Sequence, residues 1–234
     1  EIEREEMKAF PEEETEELIK QATLLHQEVF AAVKNIYMAQ GVALVALWPA
    51  VVKLSEKLVD ATAVSCSVCL RVCLADYPSG QPYVFGHVAN VCMMSLQLAR
   101  GLGYERDRLL KLTEAAFMHD IGMTRFLDLA NKPGKLTEQE MAEIKRHPQI
   151  GVTIVNESGA GFPAAVLDAI GQEHERMDGS GYPQGLKDAQ ISDAAQIIGL
   201  VDVYEAMLHT RPYRKKLTPS ATMHAILENK RAFG

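Results

Sequence analysis

The apolar residues of this chain recur every three or four positions and nowhere alternate. Leu18, Ala22, Leu25, Val29, Val33 and Ile36 form one stripe at helical spacing. Gly41 and Pro49 are expected to punctuate it, with a second helical stretch running to about Ala75. Pro78, Ser79, Gly80 and Pro82 predict a turn over 76–82. Further helices are expected from about Val84 to Arg100, closed by Gly101, and from Arg106 to Asp120. Thr137 and Glu140 predict a capping box that opens a helix reaching His147, and Pro148 suits the first turn of the next. Helices follow from about Pro163 to His174 and from Asp193 to Leu208, separated by a Gly- and Pro-rich loop over 178–186. The expected fold class is all-α.

With 234 residues, 47% of them hydrophobic, the chain can bury a sizeable core. The net charge of −7 is uneven. Residues 1–17 hold nine Glu against Arg4 and Lys8, and the rest balances at 22 acidic and 22 basic groups. That pattern reads as an acidic arm on a neutral body, with nothing that points to DNA. The most apolar run, Val42 to Val52, is 11 residues long and contains Pro49, too short to cross a bilayer. A start at Glu1 and a stop after Lys230 to Gly234, with no clear helix terminus, suggest a piece of a longer protein.

Cys66, Cys69 and Cys73 fall at i, i+3 and i+7. Cys66 and Cys69 could form half of a zinc site. No second Cys/His pair stands nearby, so packed thiols of a reducing, cytoplasmic compartment are the expected reading, Cys92 included.

Five places carry groups that suit metal chemistry: His87, the pair His119-Asp120, His147, the pair Glu173-His174, and Asp202. Taken singly, each has an ordinary explanation as a surface or hydrogen-bonded residue, and His26, His209 and His224 are left there. Together they are harder to dismiss. His119-Asp120 ends the apolar run Ala115-Ala116-Phe117-Met118, and Asp202 follows Ile197-Ile198-Gly199-Leu200-Val201. Charged groups at such places need a partner to offset desolvation, and a cation is one. Imidazole with carboxylate suits Fe, Mn or Zn. Two ions bridged by a carboxylate stabilise both the attacking and leaving oxygens of phosphoryl transfer.

The stretch Met118-His119-Asp120-Ile121-Gly122 resembles the motif of the HD phosphohydrolase superfamily. His174-Glu175-Arg176-Met177-Asp178-Gly179-Ser180-Gly181-Tyr182-Pro183 resembles the signature loop of its HD-GYP subgroup. Lys132 to Thr137, Lys145 to Pro148 and Arg211 to Arg214 are similar to that family as well, so the likeness spans about Val84 to Arg214. It implies an HD-superfamily helical bundle over 81–234, with residues 1–80 as acidic arm and helical extension. It implies hydrolysis of cyclic di-GMP, giving the linear dinucleotide, in bacterial second-messenger signalling.

By the same resemblance, His87, His119, Asp120 and Asp202 would hold one divalent metal, Fe or Mn. Asp120 would bridge to a second, completed by His147, Glu173 and His174. His119 and Asp120 would be the catalytic pair, and Arg211 and Arg214 would meet the substrate phosphates. Tyr182 and Pro183 would brace the loop. The N-terminal helices would serve homodimerisation or coupling to an upstream sensor domain.

Three departures stand out. Glu173 replaces a usual histidine and remains a competent ligand. Met123 replaces a usual lysine that meets a phosphate, so restoring lysine is expected to tighten substrate binding or raise turnover; the alternative is that Met123 packs inward and lysine there only destabilises the fold. Tyr83 stands where some members place a glutamate for a third metal, so two metals are expected. The other readings are a catalytically weak or inactive signalling module, favoured by Met123 and Glu173, and an HD hydrolase of another nucleotide.

Overall fold

The computed structural model describes residues 12–39, 42–61, 66–78, 80–159, 161–210 and 215–233. Most of the acidic arm, Gly41, Arg211, Arg214 and the side chain of Cys66 lie outside the described residues.

Helix α1 (Glu12–Met38) carries the predicted stripe. Ala22, Leu25, Val29, Val33 and Ile36 are all buried on one face. α2 (Val42–Asp60) runs straight through Pro49, which corrects the break expected there. Proline denies a hydrogen bond to the carbonyl of Val45, but both residues face solvent, where water can take the place of the missing amide. α3 (Cys66–Cys73) is a separate short helix, not the end of α2.

α4 (Tyr83–Gly101) is buried on nearly every side, from Val84 through Leu96. A helix that is apolar all round belongs at the centre of a bundle. It packs against α1, α3, α5 (Arg106–Met118) and α10 (Asp193–Leu208). At its C-terminal end the Arg100 guanidinium donates to the carbonyls of Leu58, Val59 and Ala61, which α2 leaves free at its own end. α5 stops at Met118, two residues short of the expected end, and a 3-10 turn follows over Ile121–Arg125.

The remaining elements close the bundle. They are α6 (Leu127–Ala130), α7 (Glu138–Ile144), α8 (His147–Ser158), α9 (Ala164–Gln172), a 3-10 turn over Asp188–Gln190, α11 (Pro219–Glu228) and α12 (Lys230–Phe233). The Thr137 capping box is present: the Glu140 amide donates to Thr137 Oγ1 at 3.2 Å, and the Thr137 amide to Glu140 Oε2 at 2.8 Å. Pro148 sits in the first turn of α8. α6, α11 and α12 were not legible in the apolar pattern. Among the described residues no helix is long and apolar enough to cross a membrane.

Two glycines let the 3-10 turn dock on α8. A Cβ on Gly122 would lie 1.9 Å from the carbonyl oxygen of His147, and one on Gly151 would lie 3.3 Å from the Gly122 nitrogen. The turn therefore approaches α8 closely enough to bring Asp120 beside His147.

Candidate metal centre

Five elements deliver ligand-type side chains to one place. His87 stands in the first turns of α4, His119 and Asp120 follow α5, and His147 opens α8. Glu173 and His174 follow α9, and Asp202 lies within α10. His119 and Glu173 are fully buried, and His87, Asp120, His147 and Asp202 are buried as well. His174 is the least buried of the seven, with 17% of its side chain exposed.

The ring nitrogens are oriented by what lies behind them. Nδ1 of His119 donates to the carbonyl of Ala116, and Nδ1 of His147 to that of Ile144, both at 2.8 Å. Carbonyls only accept, so each neutral ring turns the lone pair of Nε2 inward. His87 directs Nδ1 to the Glu205 carboxylate and Nε2 to Asp202 Oδ1 at 2.9 Å.

The inward atoms face oxygens. His147 Nε2 lies 3.1 Å from Glu173 Oε1 and 3.4 Å from Asp120 Oδ1. His87 Nε2 is 3.9 Å from Asp120 Oδ2, so the two oxygens of Asp120 look toward two different histidines. His174 Nε2 is 3.1 Å from His147 Nε2, and its Nδ1 is 3.8 Å from Asp202 Oδ2. His119 Nε2 and Glu173 Oε2 oppose one another at 3.8 Å, and each is buried with no hydrogen-bond partner.

Two acceptors fully withdrawn from water would each carry an uncompensated desolvation penalty. A cation between them removes it. The donor set, imidazole with carboxylate, suits a divalent transition metal. Two groups have atoms close enough to share an ion: His87 with His119 and Asp120, and His147 with Glu173 and His174. Among the described residues the cysteines join no such group. Cys69 and Cys73 are buried free thiols 3.9 Å apart, which fits packing.

Electrostatics follow the same lines. Burial, reinforced by the charges of Asp120 and Asp202, pushes the Glu173 carboxyl well above the usual carboxylate range. Burial holds His174 down to about 3 and lowers His119. Burial alone would raise Asp202, but its hydrogen bond to His87 and the neighbouring imidazoles outweigh it and keep the carboxylate ionised.

The Gly- and Pro-rich loop is braced from within. Glu175, which the sequence did not single out, accepts from the amides of Gln184 at 2.6 Å and Leu186 at 2.9 Å. Gly181 passes so near residues 174–176 that a Cβ would lie 2.4 Å from the Arg176 nitrogen. Tyr182 stacks on the His174 ring, with centroids 4.7 Å apart. Beside them opens a cavity of about 420 Å³ lined by Lys145, His174, Arg176, Ser180 and Tyr182. That volume lies within the usual range of ligand clefts. Lys145 sits 5.2 Å from the Tyr182 ring centroid.

Met123 does not face this cavity. It is 5% exposed within the core of the 3-10 turn, so the expectation that lysine there would reach substrate is corrected. His224 is exposed, as expected of a solvated residue. His26 and His209, placed in the same class, are its hydrogen-bonded members and join a partly buried network behind His87. Its hub is Glu205, fully buried and absent from the expected set. A carboxylate three residues after Asp202 shares its helix face, and that spacing could have found it.

An HD domain family model matches residues 70–233. A cyclic di-GMP phosphodiesterase of Pseudomonas aeruginosa is 37% identical over 143 residues, covering 61% of this chain and 34% of that protein. The cyclic di-GMP phosphodiesterase response regulator RpfG of Xanthomonas campestris pv. campestris is 40% identical over 139 residues, covering 58% and 35%. A 3′3′-cGAMP-specific phosphodiesterase of Vibrio cholerae is 36% identical, covering 61% and 33%. The matched region is thus about a third of the length of these curated relatives. A solved structure, an HDG"Y"P protein from Bdellovibrio bacteriovorus, superposes with a TM-score of 0.69 at 18% identity, covering 94% of this chain and 67% of that one. That likeness supports the fold.

Proposed function

The chain belongs to the HD domain family, and from that premise we propose that it is a metal-dependent phosphodiesterase that opens the ring of cyclic di-GMP to the linear dinucleotide. The observation that carries this is the pair of opposed, unpartnered acceptors, His119 Nε2 and Glu173 Oε2, in a ring of seven ligand-type side chains. The names of the relatives supply the substrate class.

In this reading His87, His119, Asp120 and Asp202 hold one divalent ion, and His147, Glu173 and His174 the other. Asp120 would serve both sets, since its two oxygens face His87 and His147. Fe or Mn best suits the mixed set. Bound there, the ions would supply Lewis acidity and bring a water toward ionisation near neutral pH. The protein's own part is to hold these ligands in fixed tautomers, to exclude bulk water from His119 and Glu173, and to present the cavity beside His174. Tyr182, packed on His174, keeps that wall in place. Arg211 and Arg214 are proposed phosphate contacts.

Residues 81–234 carry every proposed ligand, and residues 1–80 would be the acidic arm and helical extension. The free thiols suit a reducing, cytoplasmic setting. Homodimer formation or coupling to an upstream sensor through the N-terminal helices belongs to the same proposal.

A second substrate deserves a direct comparison, since three relatives from Vibrio cholerae are named 3′3′-cGAMP-specific. The test is turnover of cyclic di-GMP and 3′3′-cGAMP by protein reconstituted with Mn or Fe(II) without oxygen. Faster linearisation of cyclic di-GMP supports the proposal. Preference for 3′3′-cGAMP replaces the substrate, and no turnover of either favours a binding module.

A further inference from the structure

Behind the metal centre lies a buried polar chain that leads out of the ligand set and into α1. His87 is gripped from both sides by one face of α10: Asp202 takes Nε2, and Glu205, three residues on, takes Nδ1. The other oxygen of Glu205 accepts from Tyr77 Oη and from Asn90 Nδ2, each at 2.7 Å, and lies 3.0 Å from His209 Nδ1, which donates to the Glu205 carbonyl. Three donors and a facing imidazole hold both oxygens of the carboxylate, which restricts its turning.

Asn90, on the same face of α4 as His87, fixes the direction of the chain. Its amide nitrogen serves two acceptors, Glu205 and the Cys73 carbonyl at 3.1 Å. Its oxygen must therefore face His26 Nε2, 2.7 Å away on α1, and His26 must donate. Burial keeps the His26 pKa below the usual histidine value.

α1 touches the centre a second time. Eleven residues after His26, three helical turns along the same face, the Tyr37 hydroxyl accepts from the Asp120 amide at 3.2 Å. One helix thus holds a hydrogen bond behind each of two proposed ligands, His87 and Asp120.

We propose that His26, Asn90 and Glu205 form a positioning relay through which α1 sets the orientation of His87, and with it the metal affinity of the centre. The proposal rests on the metal-centre reading given above. In it α1 is a working part of the site, and loss of the hydrogen bond from His26 changes metal affinity without touching a ligand. Partners behind a ligating histidine typically affect metal affinity by about 10–100-fold. His26 acts two bonds further out, behind Asn90 and Glu205, so the low end of that range, about tenfold, is expected for its loss.

The experiment compares His26→Gln with His26→Met in the full chain. The two side chains have nearly the same length, but only glutamine can donate to Asn90. A third variant, Leu25→Ala, weakens the seat of α1 in the apolar core without entering the relay. The readouts are Mn(II) affinity of the stripped protein and the visible spectrum of the Co(II)-substituted protein. His26→Met should bind Mn(II) about tenfold more weakly with a shifted Co(II) spectrum, and His26→Gln should recover both. Leu25→Ala should lower the melting temperature but keep affinity and spectrum. Equal affinity and spectra in wild type and His26→Met overturn the relay, and so does an equal loss in Leu25→Ala. Wild-type protein that takes up no Mn(II) overturns the metal centre itself, and the relay with it.

Discussion

Asp120 is the residue on which the proposed centre turns, because its two oxygens look toward different histidines. Asp120→Ala should lose both ions and all turnover while keeping its helical circular dichroism. Retention of either ion would assign Asp120 to one site only. Met123 carries the opposite lesson. Its motif neighbours suggested a lost phosphate contact, yet the side chain is buried in the core. Met123→Lys must bury an ammonium or disrupt its surroundings, so it should cost more than about 2 kcal/mol of stability with no gain in substrate affinity. Thermal melts and a binding titration on the same preparation check both halves. The seven ligand-type residues were legible because they sit in motifs and interrupt apolar runs. For Glu205, Asn90 and Tyr77 the one local signal was the place of Glu205 on the helix face of Asp202, which does not tell a buried polar hub from a solvated one. Its identity depends on contacts across more than a hundred residues of chain.

Elements were readable whether one face is apolar, as in α1, or nearly every side is, as in α4. α1 and the Thr137 cap were plain in the sequence, and so was the extent of α10. The short α6, α11 and α12 were not, because four to ten residues hold too few turns for a period to show. Close approach is also invisible to periodicity. Gly122→Ala would push a methyl group into the His147 carbonyl, which belongs to a helix and cannot swing aside. Its cost should reach the upper part of the overpacking range, about 1–3 kcal/mol, with weaker metal binding as Asp120 is displaced from His147. Denaturant unfolding read beside a metal titration would show whether the two losses travel together.

α1 also gives the stability a pH dependence. His26 has a lowered pKa in the folded state, so below about 6.5 the unfolded chain binds the extra proton. Its contribution is complete above that value and fades as pH falls, by at most about 1.4 kcal/mol per pH unit. The lowered values of His119 and His174 act in the same direction. His26→Gln should therefore flatten, but not abolish, the fall in melting temperature of metal-free protein between pH 7 and 5.5. An unchanged slope would place His26 outside the titrating set.

At the scale of the molecule, one continuous core runs from Ala22 in α1 to Leu208 in α10, and the proposed centre lies against it. The all-α class and the bundle were readable in sequence, while the way α1 joins the support of the ligands was not. A stripe says that a helix is buried but not against what. The central claim is that this core holds a two-ion hydrolytic centre. It is tested most directly by counting divalent ions per folded chain, by elemental analysis after oxygen-free reconstitution with Mn(II) and removal of excess. About two ions per chain are expected, falling to background in Asp120→Ala. A folded wild-type protein that retains none would contradict it.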